Sequence, residues 1–186
     1  MGKMISYKEA VNRFGSEYLL LKALNNGKIR KVKRGYYLLE NDTPVHIDSV
    51  SFICQKYPDA ILTMDSAFYF LNLTDVIPDK IHLATLRNAT RIREENVHQY
   101  FESTKYYGVG KDIFMYEGTP AAIYNKERML IELIRHKSTM AYDYYKEILL
   151  NYRKSVDSIS MDRLEDYLEA FESSRNYFEV LEREVF

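Results

Sequence analysis

Five cationic side chains stand within seven consecutive positions near the start of the chain. They lie in the segment KIRKVKRGYYLL and are Lys28, Arg30, Lys31, Lys33 and Arg34. Closely spaced lysines and arginines can neutralise phosphates and release the counterions around a nucleic acid, so that binding weakens as salt rises. A basic run is also typical of a solvated edge strand, in which lysine prevents pairing with another chain.

The charge of the chain is unevenly distributed. The 186 residues carry a net charge of −1. Residues 1–40 hold nine Lys/Arg and three Asp/Glu, a positive surplus of six, whereas the remainder holds 17 and 24, a negative surplus of seven. A basic head on an acidic body suggests an anionic partner for the head.

Two short helices are predicted before the basic segment. Ser6 and Glu9 have the spacing of a capping box, and Gly15 is suited to end the first helix in the left-handed conformation. Ser16 caps a second helix, which Gly27 ends. Two short helices joined by a tight turn match the helix-turn-helix pattern.

The second helix has two different sides. Leu20 and Leu24 lie on an apolar side that can face a core. Another side carries groups that can donate to phosphates or base edges, namely Tyr18, Lys22 and Asn25. This arrangement is what a recognition helix requires.

The basic segment itself predicts a β-hairpin. Ile29–Val32 and Tyr36–Leu39 are β-prone, and Lys33, Arg34 and Gly35 connect them, with glycine free to adopt a positive φ. A basic hairpin directly after a recognition helix is typical of a wing that straddles the DNA backbone. We therefore predict that residues 1–42 form a winged helix-turn-helix DNA-binding domain.

A polar segment at residues 40–46 predicts the domain boundary, and a second domain is predicted over 45–186. Short strands are expected near 60–64, 80–86, 97–103, 113–116 and 121–124, with helices near 48–57 and 66–73. The last third is predicted to be helical, beginning with a helix that Asn125 caps. The fold class is therefore α+β, a winged helix-turn-helix followed by a mixed α/β domain that ends in helices.

The chain offers no recognisable active site. Its histidines, His46, His82, His98 and His136, have no metal-binding spacing, and no P-loop or GxSxG motif is present. We therefore expect no catalytic residue, no metal and no cofactor, and structural or surface roles for the histidines.

Two groups of charged residues outside the head have an ordinary interpretation. On the helix after Asn125, ion pairing or solvated faces explain Glu127, Arg128, Glu132, Arg135 and His136. The segment LRNATRIREE is expected to be a solvated loop balanced by acidic neighbours. The other interpretation of that segment is a second phosphate-binding patch formed by Arg87, Arg91 and Arg93.

The single cysteine, Cys54, suits a reducing compartment. No apolar run approaches the roughly 20 residues that a membrane span needs, and the N-terminus has no apolar signal core. We expect a cytoplasmic protein without a membrane partner.

Three segments, taken in order, resemble one family over nearly the whole chain. They are GKIRKVKRGYYLL, AILTMDSAFYFLNLTDVIPDKIHLAT and AAIYNKERMLIELIRHK. The chain is similar to the AbiEi family of abortive-infection antitoxins. The most specific elements are Arg34-Gly35-x-Tyr37, Ser66-Ala67 followed by Pro78, and Glu127-Arg128.

The resemblance implies a type IV antitoxin encoded beside an AbiEii-type nucleotidyltransferase toxin. It implies an N-terminal domain that binds inverted repeats in its own promoter, and a C-terminal domain that neutralises the toxin without a stable complex. By position, the DNA-binding role falls to Tyr18, Lys22, Lys28, Arg30, Lys31, Lys33 and Arg34. Because almost nothing precedes the first helix, a trimmed winged domain is expected.

Two other functions stay open. The first is a ligand-responsive winged-helix transcription regulator without a toxin partner, which needs an apolar cavity with converging polar groups. The second is a nucleic-acid enzyme, which needs a clustered pair of carboxylates.

Overall fold

The computed structural model describes residues 4–39 and 49–186. The chain forms two compact units, Met1–Gln55 and Lys56–Phe186. Both contain helices and a sheet, which confirms the α+β class. The predicted boundary, between residues 42 and 45, lies outside the described residues, as does His46.

The first unit contains a three-stranded antiparallel sheet and three helices in its described part. The strand order is β1-β3-β2. Its elements are β1 (Ile5–Ser6), α1 (Tyr7–Phe14), α2 (Glu17–Asn25), β2 (Ile29–Lys33), β3 (Tyr36–Leu39) and α3 (Ser49–Lys56), the last of which ends one residue into the second unit.

The helix boundaries follow the predicted caps. The Ser6 hydroxyl accepts a hydrogen bond from the Glu9 amide at 3.3 Å, and the Glu9 carboxylate accepts one from the Ser6 amide at 2.8 Å. Gly15 ends α1 with a φ of 90°, and Ser16 caps α2 by accepting from the Leu19 amide. The capping box and the tight turn between the two helices are therefore confirmed.

One apolar core holds this unit together. Its members come from α1, α2 and all three strands, so that these five elements pack together. The buried members are Ile5, Ala10, Leu20, Ala23, Ile29 and Tyr37. The strand β1 was not predicted, because two residues are too few to show a periodic pattern.

The second unit is a five-stranded mixed sheet with helices packed against it. The strand order is β6-β5-β4-β8-β7, in which β5 pairs with β6 and β4 with β8 in parallel, and the other neighbours are antiparallel. The strands are β4 (Ile61–Leu62), β5 (Ile81–Leu86), β6 (Val97–Glu102), β7 (Lys111–Tyr116) and β8 (Thr119–Tyr124).

The helices of this unit dominate its last third, as predicted. They are α4 (Met64–Phe70), α5 (Thr104–Tyr107), α6 (Lys126–His136), α7 (Tyr142–Lys154), α8 (Met161–Glu169) and α9 (Ser174–Glu184), with a 3₁₀ turn at Val156–Ser158. The sequence did not predict α5 or the 3₁₀ turn, since each is a single turn without a periodic pattern. No helix in the described ranges reaches the length and apolarity that crossing a bilayer needs.

Helix α6 occupies the centre of the second unit. Asn125 caps it by accepting from the Arg128 amide at 3.1 Å, as predicted. All eight residues from Glu127 to Ile134 are buried, including the apolar residues Met129, Leu130, Leu133 and Ile134. Glu127, Arg128 and Glu132 consequently face protein, where a charge needs a partner.

Candidate nucleic-acid interface

The basic hairpin, which we define as residues 28–39, presents its cations to solvent. Ile29 and Tyr37 are buried in the core of the unit, whereas the predicted cations are all exposed. Those cations are Lys28, Arg30, Lys31, Lys33 and Arg34. Within residues 4–39 and 49–186, no ion pair joins any of them to a carboxylate.

The connection of the hairpin differs by one residue from the prediction. Strand β2 extends through Lys33, so the turn has two residues, Arg34 and Gly35, of which Gly35 has a φ of 82°. The pairing register shifts between Lys31 and Lys33, which is a β-bulge. Val32, the extra residue of the bulge, has no paired residue on β3.

Lys33 has a different environment from the other cations of the hairpin. Its ammonium lies 4.1 Å from the centre of the Phe52 ring, in the geometry of a cation–π contact. Phe52 is itself buried. Part of the Lys33 side chain therefore serves packing within the first unit, and the remaining cations are the better candidates for phosphate contacts.

The exposed face of α2, defined by Tyr18, Leu21, Lys22 and Asn25, points to solvent. Tyr18 is 72% exposed and Leu21 is 59% exposed, and Lys22 and Asn25 are exposed as well. The prediction omitted Leu21, although its place three residues after Tyr18 puts it on the same side of the helix. An exposed leucine there can contact the methyl group of thymine.

Helix α2 and the basic hairpin are fixed to each other. The Lys28 amide donates to the Ala23 carbonyl at 2.9 Å, and the Gly27 amide donates to the Leu24 carbonyl at 3.1 Å. Leu20 of α2 and Ile29 of β2 share the core of the unit. Backbone hydrogen bonds and a shared core thus fix the position of α2 relative to the hairpin.

The proposed second basic patch divides into two parts. Arg87, Arg91 and Arg93 are all exposed on the second unit. Arg91 and Arg93 line a cleft of this unit with a volume of about 810 Å³, whereas Arg87 lies outside the lining. The sequence predicted the arginines but not the concavity, because the other walls come from distant segments.

A polar cluster surrounds His82 in the second unit. The Tyr100 hydroxyl lies 3.2 Å from His82 Nδ1, and Asp65 lies 3.7 Å from His82 Nε2. Burial lowers the pKa of His82 although Asp65 opposes this, and burial with the Asp65 charge raises the pKa of Tyr100 to about 12. Both rings are consequently neutral near pH 7 and act as hydrogen-bonding groups in the packing.

A buried ion cluster lies on α6. Arg128 is 0% exposed and Glu132 is 1% exposed, and their charged atoms lie 2.6 Å apart. Arg128 also donates to the carbonyls of Tyr106 and Val109, and Arg135 lies 2.6 Å from Glu132. Of the two predicted explanations for these charges, ion pairing is confirmed, and a solvated face is wrong for Glu127, Arg128 and Glu132, which are buried.

Metal ligands do not converge in the described parts of the chain. Within them, no group of three or more His, Cys, Asp or Glu side chains has the geometry to hold an ion. His98 stacks against His82 with ring centres 5.1 Å apart. Their pairing is an aromatic contact within the polar cluster.

Comparison with known proteins does not identify the chain. No protein-family model matches it, and a search of curated proteins returns no match. The resemblance to the AbiEi family stays a prediction that rests on the residue patterns.

Proposed function

We propose that the first unit is a winged helix-turn-helix that binds double-stranded DNA. The observation that carries the proposal is the set of exposed hairpin cations without a carboxylate partner in the described ranges. Such charges contribute little to the stability of the fold and are available to bind phosphates. The strand order is β1-β3-β2, with α1 and α2 inserted after β1. This order favours the proposal, because a wing of this kind is formed by β2 and β3 and is held in place by β1.

The two parts of this surface have different roles in the proposal. The exposed face of α2 enters the major groove, where Lys22 and Asn25 hydrogen-bond base edges and Leu21 contacts thymine methyl groups. The basic hairpin lies along the backbone, where Arg30, Lys31 and Arg34 neutralise phosphates. The helix selects the sequence and the hairpin supplies affinity that depends on salt.

We further propose that the protein is an antitoxin of a type IV toxin–antitoxin system in abortive phage infection. In this proposal the first unit represses its own operon at promoter inverted repeats, and the second unit counters a nucleotidyltransferase toxin without a stable complex. Support comes from the AbiEi-like segments. Their most specific residues have packing roles, since the Ser66 hydroxyl accepts from the His82 amide at 2.9 Å and Arg128 is buried.

The salt dependence of DNA binding tests the first proposal. The full chain is titrated onto a labelled duplex from upstream of its own reading frame, at several salt concentrations. Lys31→Ala with Arg34→Ala removes two phosphate contacts and should flatten the slope of log K against log salt by about two. Lys111→Ala with Lys146→Ala, two exposed lysines of the second unit, is the charge-matched control. A hairpin variant with the control's slope contradicts the proposal.

Growth rescue tests the antitoxin proposal. The chain is co-expressed with a nucleotidyltransferase encoded beside it, and growth should recover without co-purification of the two proteins. Rescue should persist in the Lys31→Ala, Arg34→Ala variant, because neutralisation is assigned to the second unit. Absence of rescue by the wild-type chain rejects the antitoxin role while leaving the DNA-binding result unaffected.

One observation favours a second candidate function, the ligand-responsive regulator. The cleft in the second unit has a volume within the roughly 300–1,000 Å³ of small-molecule sites. A regulator of this kind needs no toxin, and its DNA affinity changes when the cleft is occupied.

A further inference from the structure

The cleft of the second unit combines an apolar interior with charged groups at its rim. Its interior is lined by the aliphatic and aromatic side chains of Ala60, Leu86, Ala89, Ile92 and Tyr107. Charged side chains also contribute to the lining, namely Lys56, Asp59, Arg91, Arg93 and Glu94. Apolar walls with a few convergent polar groups are characteristic of small-molecule sites.

The rim that carries the two arginines is held in place by one side chain. Gln99 of β6 accepts a hydrogen bond from the Ile92 amide at 2.8 Å and donates to the Thr90 carbonyl at 3.3 Å. It also donates to the Thr85 hydroxyl at 2.8 Å. These contacts fix the backbone on both sides of Arg91, so the cleft is formed before a ligand arrives.

The charges of the lining leave the arginines available to an anion. Lys56 lies 2.5 Å from Glu94, and this pair neutralises one cation and one acid of the lining. Asp59 is then the one remaining acidic residue of the lining, and Arg91 and Arg93 are the remaining basic residues. Both arginines are exposed and have no ion-pair partner in the ranges 4–39 and 49–186. Among the described lining residues, the charge outside the Lys56–Glu94 pair is consequently positive, with two arginines against one aspartate.

We propose that this cleft binds a small organic anion that consists of an apolar body and one carboxylate, sulfonate or phosphate group. The apolar body fills the interior beside Ala89 and Ile92, and the acidic group pairs with Arg91 and Arg93, whose planar guanidinium groups suit two-point contacts with oxyanions. The assignment concerns the second unit alone and is independent of DNA binding by the first.

Fluorescence titration with 1-anilinonaphthalene-8-sulfonate, an aromatic sulfonate, tests the proposal on the full chain. Saturable binding with one site is expected. Arg91→Ala with Arg93→Ala should weaken it at least about tenfold, because charge-assisted hydrogen bonds are lost. Arg87→Ala is the matched control, since Arg87 is an exposed arginine near the same loop but outside the lining. It should leave the affinity unchanged.

Two further measurements separate this site from alternatives. Ala89→Trp, which fills the interior, should abolish binding, and N-phenyl-1-naphthylamine, the same body without the sulfonate, should bind equally to wild type and to the double arginine variant. Equal sulfonate binding by wild type and the double variant overturns the proposal. So does displacement of the probe by a short single-stranded oligonucleotide, which would identify the cleft as a nucleic-acid contact. Unchanged thermal midpoints verify that the variants are folded.

Discussion

The Tyr7 amide donates a hydrogen bond to the Gly35 carbonyl at 2.7 Å, joining the first residue of α1 to the turn of the basic hairpin. The residues before Tyr7 form β1 and pair with β3, with Ile5 opposite Tyr37. The tip of the hairpin is therefore anchored to the start of a helix, and its cations are held in a defined position rather than on a free ribbon.

Gly35→Ala tests this anchor. Gly35 has a φ of 82°, and an added Cβ would meet nothing within 4 Å, so the cost is backbone strain of about 1 kcal/mol. Hydrogen exchange of the Tyr7 amide should become faster in this variant. Gly35→Asn is the control, because asparagine tolerates the left-handed region better. Equal exchange in both variants would mean that strain at the turn does not loosen the anchor.

Sequence discrimination tests the exposed face of α2. Lys22→Ala with Asn25→Ala should lower the ratio of operator to scrambled-duplex affinity by at least about tenfold, because direct base contacts carry discrimination. The measurement is fluorescence anisotropy with both duplexes at one salt concentration. Lys111→Ala with Asn176→Ala removes the same residue types from exposed positions of the second unit and should retain the ratio. An unaltered ratio in the α2 variant rejects the assignment.

Two neighbouring glycines provide a matched test of packing around Arg128. Gly110 has a φ of 72°, and a Cβ there would lie 2.3 Å from the Arg128 Cβ, whereas a Cβ on Gly108 would meet nothing within 4 Å. Gly110→Ala should lower the free energy of unfolding by about 2–4 kcal/mol through overpacking and strain. Gly108→Ala should change it by less than about 0.5 kcal/mol. Urea titrations of the two variants make the comparison, and similar midpoints would contradict the packing.

The buried cluster on α6 predicts a pH dependence of stability. Burial opposes ionisation of Glu132, but the hydrogen bond from His136 and the charges of Arg128 and Arg135 outweigh it and lower the pKa of Glu132 from 4.5 to about 2. A lowered pKa means that the unfolded state binds the proton more readily. The stabilisation is thus fully present above about pH 4.5 and is lost as the pH falls towards 2.

Glu132→Gln isolates this contribution. The variant should be less stable at pH 7, since the buried Arg128 and the partly buried Arg135 lose their counter-charge. Wild type should also lose more unfolding free energy than the variant between pH 4.5 and pH 2. The difference between the two losses should be roughly 3 kcal/mol. Glu102 has the opposite effect on stability, because burial and the Glu132 charge raise its pKa. Its protonation therefore stabilises the wild-type fold as the pH falls, which makes the difference in pH dependence between wild type and variant smaller. Parallel pH profiles of unfolding free energy would show that Glu132 does not control this range.

Local signals in the sequence determined much of the first unit. The capping box of Ser6 and Glu9, the left-handed Gly15 and the exposure of Lys22 all follow from contacts within one or two helical turns, where residue type and spacing dictate geometry. The hairpin was predicted for the same reason. The bulge, which leaves a turn of two residues, was not predicted, since it depends on how β2 pairs with β3.

Only the tertiary structure determined which charged residues of the second unit are buried and which residues line its cleft. Residue spacing could not tell whether Arg128 and Glu132 lie in solvent or protein, because enclosure of α6 depends on the sheet and helices around it. Nor could it bring Tyr107 and Arg91 into one cleft, with Gln99 supporting its rim. Such sites are formed by contacts between residues distant in sequence, and those contacts exist only once the chain is packed.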